Sequence, residues 1–196
     1  MTLSFKAALA ASALVAMCAT AAANDPVGNA SAIIPSASQQ TQGTKTDLVL
    51  RDNIIRNADL ATAAGGALEV TFLDGSKLTM GQNSRVTVDE YVYTGPGGTG
   101  KQSIRYAKGL FRFVSGSIPK DQVKVQTPTV TIGIRGTVFR VVSAEGGGGA
   151  VSVEEGETTI KSNTTGETVV LKAGEMVSFD AGGGFSPVGP GEVPGC

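Results

Sequence analysis

Seven residues, Gly95-Pro-Gly-Gly-Thr-Gly-Lys101, carry the most chemically suggestive spacing in the sequence. They fall on G-x-x-x-x-G-K, the opening of a phosphate-binding loop. Such a loop works when a strand leads into the glycines and a helix leaves them, so that free N–H groups and the positive end of the helix dipole meet the phosphates. Val88 to Thr94 reads as the entering strand. Gln102-Ser-Ile-Arg-Tyr106, however, alternates in polarity and reads as a second strand, and Gln102 stands where a magnesium-holding Ser or Thr belongs. The expected structure is a glycine-rich hairpin loop, and the expected partner is not a nucleotide.

Other catalytic constellations fare no better. The chain has no His, which removes the usual general base and the commonest metal ligand. Its two cysteines, Cys18 and Cys196, offer neither a thiolate metal set nor a Cys–His pair. Glu154, Glu155 and Glu157 cluster around Gly156 and read as a solvated hairpin edge. No residue set supports an enzyme, and no cofactor or metal is expected.

The most specific stretch is Thr127-Pro-Thr-Val-Thr-Ile-Gly-Ile-Arg-Gly-Thr-Val-Phe139. Val130, Ile132 and Ile134 alternate with Thr129, Thr131, Gly133 and Arg135, so one set faces a core and the other faces out. Gly133 in mid-strand suggests a bulge or a close backbone, and Gly136 a turn before Thr137. Arg135 then has two readings. As a corner clamp, its five-donor fork would bond exposed carbonyls; as a contact, it would receive a carboxylate or phosphate from a partner. The clamp is the favoured reading. Thr127, Pro128, Gly133, Arg135, Gly136 and Thr137 are therefore the candidate site residues, structural first and partner-binding second.

The elements that must position them read as strands. Leu68/Val70/Phe72, Val86/Val88, Ile104/Tyr106, Val123/Val125, Val151/Val153 and Val177/Phe179 all recur at period two. Turn signals such as Asp74-Gly75, Glu155-Gly156, Thr165-Gly166 and Ala173-Gly174 separate them. The 27 glycines, about twice ordinary usage, concentrate in these turns. The expected fold is all-β in a single domain, with about a dozen short strands in a solenoid-like coil or a sandwich. Asp59 to Ala64 forms at most a short turn.

The ends differ from this body. Lys6 precedes the apolar run Ala7 to Ala23, which closes on Ala21-Ala-Ala23, a pattern that signal peptidase accepts. Residues 1–23 read as a signal peptide, giving a chain that starts at Asn24 and is periplasmic or secreted. A lipid anchor at Cys18 is disfavoured by Met17, and an uncleaved anchor is the other alternative. Residues 24–47 read as a polar N-terminal arm, 48–181 as the β-domain, and 182–196 as a Gly/Pro-rich disordered tail. Removing Lys6 leaves 15 Lys and Arg against 17 Asp and Glu, a balance unlike that of nucleic-acid or anionic-lipid binders. With Cys196 the single cysteine after cleavage, no internal disulfide forms, and a Cys196-linked dimer or other homo-oligomer stays open.

Four stretches together resemble the FecR domain family. They are Phe72-Leu-Asp-Gly-Ser-Lys-Leu-Thr-Met-Gly-Gln-Asn-Ser84, Lys108-Gly-Leu-Phe-Arg-Phe-Val-Ser-Gly116, Thr127 to Thr137, and Val151-Ser-Val-Glu-Glu-Gly-Glu157. They occur in the family's order, over about Leu48 to Phe179; Arg51 and Gln82 depart from the common Gly and Pro. The resemblance implies a periplasmic all-β domain, known best from regulators that relay ferric-siderophore signals from an outer-membrane transporter to a sigma-factor system. No anti-sigma domain precedes the hydrophobic segment in this sequence, so the expectation is a stand-alone exported FecR-domain protein. Its expected function is non-enzymatic: binding another protein or a surface polymer of the envelope, in signalling. The alternative is a structural, self-associating β-rich surface protein.

Overall fold

The computed structural model describes residues 25–195. The expected signal peptide, the start at Asn24 and Cys196 lie outside them. The strands are β1 (Pro26–Ile34), β2 (Ala37–Thr41), β3 (Thr44–Asp47), β4 (Asn53–Ile55), β5 (Asp59–Thr62), β6 (Ala67–Phe72), β7 (Lys77–Met80), β8 (Arg85–Tyr93) and β9 (Gly100–Val114). After a one-turn 3₁₀ helix (Lys120–Gln122) come β10 (Val123–Gln126), β11 (Val130–Ile134), β12 (Val138–Ser143), β13 (Gly149–Glu155), β14 (Glu157–Ser162), β15 (Thr168–Lys172), β16 (Glu175–Phe179) and β17 (Gly189–Pro190). The all-β expectation holds, with seventeen strands among the described residues in place of about a dozen.

Hydrogen bonding joins the strands into one sheet that folds over into two ribbons. The first runs β4-β1-β6-β7-β9-β12-β13-β16-β17. The second runs β3-β2-β5-β8-β9-β10-β11-β14-β15. Only β9 belongs to both, and no ladder among the described residues joins β1–β8 to β10–β17. Its first half pairs with β8 and β10, its second with β7 and β12. The change of ribbon comes at Gly109, whose φ of +117° suits glycine alone, and where a side chain would collide with Ser84. Tyr106 and Phe111 stack across this bend with ring centroids 4.1 Å apart.

Period two does the rest. In β6, Leu68, Val70 and Phe72 are buried while Ala67, Glu69 and Thr71 are half-exposed. Inward residues of both ribbons, among them Leu60, Met80, Ile104, Phe113, Ile132, Phe139, Val151 and Ile160, form one core.

Three expectations need correction. The described part of the expected arm, residues 25–47, is not loose: β1 lies between β4 and β6, and Val27, Ala30 and Ala37 are buried. Their side chains are small because the sheets close tightly there, as at Gly28, where an added Cβ would strike the Thr71 backbone. Asp59 to Ala64 is not merely a turn, since Asp59–Thr62 is β5, paired with β2 and β8. The tail is ordered through residue 195: β17 pairs with β16, and Val193 is buried with its N–H donated to Ser152 Oγ at 2.9 Å.

Candidate functional site

The glycine-rich loop at 94–99 joins β8 to β9 as a hairpin, closed by Thr94 N–H on the Thr99 carbonyl at 3.1 Å. Lys101, in β9, pairs with Glu90 of β8 at 2.8 Å. No helix leaves the glycines, so the dipole and free N–H groups of a phosphate loop are missing here.

The Thr127–Thr137 stretch builds a corner. Thr127 is buried, and its Oγ1 accepts N–H bonds from Thr129 (3.2 Å) and Val130 (2.9 Å), shaping the turn at Pro128 between β10 and β11. At the far end Gly136 turns the chain with φ +74°. Thr137 fastens the corner: its hydroxyl donates to the Glu157 carbonyl at 2.7 Å, and its N–H to Ser115 Oγ at 3.1 Å. The Arg135 N–H reaches the same Glu157 carbonyl at 3.2 Å.

The Arg135 side chain is not the clamp. It is 72% exposed and makes one ion pair, to Glu157 Oε1 at 3.4 Å. Thr137 has taken the carbonyl that the clamp reading gave to the guanidinium. Nor does Gly133 form a bulge. It pairs in regular register with Lys124 on one side and Thr159 on the other. A Cβ there would meet nothing nearer than the Thr159 carbonyl at 3.7 Å.

Gly133 instead forms part of the lining of a groove of about 470 Å³ on the outer face of the second ribbon. Thr131 and Thr159 flank Gly133 on its floor, and Lys120, Lys124 and Arg135 supply cations; Val123 and Ile134, each 3% exposed, turn into the core beneath it. Lys120 lies folded into the space that a side chain on Gly136 would occupy. Among the described residues no carboxylate comes within ion-pair distance of Lys120 or Lys124. Sequence reasoning found Gly133, Arg135 and Gly136 but missed both lysines; the signal was the alternation of β10, in which Lys124 lies between buried Val123 and Val125 and so faces outward.

Two other polar clusters pair their charged and polar groups with one another. Arg112 grips Glu154 through Nε at 2.9 Å and Nη2 at 2.8 Å. Arg140 Nε lies 2.7 Å from Glu154, an ion-pair contact whose N–H is not aimed at the oxygen, and Arg140 also pairs with Glu192 of the tail. The Arg112 hydrogen bonds, outweighing partial burial, hold the Glu154 carboxyl below its ordinary value of 4.5. A cavity of about 540 Å³ beside them is lined by these paired charges. Under the Asp74-Gly75 turn, buried Asp74 accepts bonds from the Ser76 hydroxyl (2.7 Å) and the Tyr91 phenol (3.1 Å). Burial, reinforced by the Asp74 charge, pushes the Tyr91 phenol well above its ordinary range. That geometry ties a turn to β8; it presents no nucleophile. Among the described residues no group of acidic or sulfur ligands is placed to hold a metal.

Comparisons with known proteins agree with this architecture. A family model described as FecR protein matches residues 58–159, from just before β5 into β14 and through the Thr127–Thr137 corner. Comparison with curated proteins finds no match. Two crystal structures of a candidate anti-sigma factor from Parabacteroides distasonis ATCC 8503, at 2.50 and 1.65 Å resolution, share the fold with TM-scores of 0.52 and 0.51. Each is 16% identical over 68% of this chain, and the match spans 59% of that protein's length.

Proposed function

The chain belongs to the FecR protein family, and from that premise we propose that it is an exported, non-enzymatic signalling protein of the cell envelope whose β-domain binds another protein. The observation that carries the reading is the contrast within the family-matched region. The corner is locked by Thr127 and Thr137, while the groove beside it keeps Lys120, Lys124 and Arg135 exposed to solvent. A rigid frame presenting open charge suits recognition. Export rests on Lys6 and the Ala7–Ala23 run ending in Ala21-Ala-Ala23, which places the start of the exported chain at Asn24.

A second reading, self-association of a structural surface protein, draws on the edge of the second ribbon. β15 pairs only with β14 among the described residues, and Val170 on it is 47% exposed.

Cross-linking a tagged, envelope-resident form and identifying its conjugates separates the two. A single membrane or envelope protein, recovered with a chain whose first residue is Asn24, supports the signalling reading. Conjugates made only of further copies, growing with concentration, replace it with the structural one. Recovery of an intact Met1 overturns export by cleavage.

A further inference from the structure

We propose that the groove over Gly133 is a docking site for an extended, acidic segment of a partner protein, its same-side carboxylates meeting Lys120, Lys124 and Arg135. The proposal rests on the signalling reading above and names the chemistry of its partner.

The first support is a glycine that the backbone does not require. A glycine inside a strand costs conformational entropy and leaves a gap in the sheet surface. Gly136 and Gly109 have positive φ to justify them; Gly133 has neither a positive φ nor a crowded Cβ position. What its missing side chain provides is an open floor between Thr159 and Lys124, the residues opposite it on the flanking strands.

Charge is the second support. Three cations rim one depression from three separate elements: Lys120 from the 3₁₀ turn, Lys124 from β10, and Arg135 from the β11–β12 corner. Two have no carboxylate within reach, and the third has a single long contact of 3.4 Å at 72% exposure. Asp121, the acidic residue of the rim, is held by the Gln122 amide at 2.7 Å.

Layout argues for a peptide over a phosphate polymer. Lys124 lies opposite Gly133, and Arg135 lies two residues beyond it along β11, about 7 Å at the rise of a strand. Cations spread at that interval match successive same-side carboxylates of an extended peptide. The chain as a whole carries more acid than base, 17 against 16, so a long polyanion meets net repulsion away from the groove.

The test uses the exported chain and a labelled, end-blocked peptide of alternating Val and Asp, titrated by fluorescence polarisation. A Val–Asn peptide and a sulfated polysaccharide serve as competitors. The acidic peptide binds, the Val–Asn peptide binds at least about tenfold more weakly, and Lys124→Glu and Gly133→Val each weaken binding by about tenfold or more. Gly133→Val leaves the melting temperature unchanged or raised, because the strand has room for the side chain, and Lys45→Glu, an equal charge change on distant β3, leaves binding intact. Equal binding of both peptides, displacement by the polysaccharide at lower charge concentration than by the acidic peptide, or wild-type binding by Gly133→Val overturns the groove. So does an oligomer that Lys124→Glu dissolves, since the occupant is then a second copy. An envelope partner cross-linked equally well by Gly133→Val removes the groove and leaves the signalling reading standing. Peptide binding that follows the expected pattern with no envelope partner supports the groove and removes that reading.

Discussion

At the scale of residues, the Thr127–Thr137 corner divides its work in a way that single substitutions expose. Gly136 has φ +74°, a side chain on it would displace Lys120, and its carbonyl lies where a Cβ on Gly156 would sit. Gly136→Val therefore lowers unfolding free energy by about 1–3 kcal/mol, the cost of a β-branched residue held in the left-handed region. Arg135→Ala changes it by less than about 0.5 kcal/mol, because an exposed ion pair contributes little. Thr137→Val, which leaves the Glu157 carbonyl without its 2.7 Å hydroxyl donor, falls near Gly136→Val. Denaturant titration of the three variants checks the order; Arg135→Ala as destabilising as Gly136→Val would restore the clamp. The turn at Gly136 was legible because a glycine after a charged strand end announces positive φ. The role of Arg135 was not, since a sequence gives the donor's reach but not which donor arrives first, and here a Thr two residues on is shorter, closer and cheaper to order.

Elements were legible in proportion to the size of their inward side chains. β6, β8, β11 and β13 alternate Val, Ile, Leu or Phe with polar residues and announce themselves. In β1 the well-buried side chains are Val27 and Ala30, and in β2 Ala37 leads a run of Ser, Gln and Thr. Strands of that composition are formed by partners distant in the chain, such as Ile34 opposite Ala67, and no local period reveals them. The same long-range pairing makes β1 indispensable. A chain shortened to begin at Leu48 leaves the β6 edge Ala67–Phe72 without its partner and uncovers the core beneath Val27. It should lose roughly 3 kcal/mol or more, burial of one Val being worth about 1.5–3 kcal/mol, and should associate through the open edge. Thermal melts and light scattering check this; a shortened chain that melts as the full one does would return residues 24–47 to the status of an arm.

For the whole molecule, the Arg112–Glu154–Arg140–Glu192 cluster binds distant parts of the chain into one body, linking β9, β12, β13 and the tail. Glu154 titrates below 4.5 in the folded chain, so its contribution is complete above that value and is lost as pH falls through the depressed one. Melting temperature should therefore drop as pH is lowered below 4.5, and drop less in Glu154→Gln, which has no proton to take up; parallel profiles for the two proteins would refute it. A different consequence follows from β9 being the one strand held in common. All ladders among the first eight strands close among themselves or on β9, and all later ones close among themselves or on the same strand. Since a chain is made from its N-terminus, the first half can reach its full pairing once Val114 has emerged, before β10 exists. The two free sides of β9 are then a finished template, and the second half grows outward from it, β10 along one half of the strand and β12 along the other. The order of synthesis is thus written into the topology as an order of assembly.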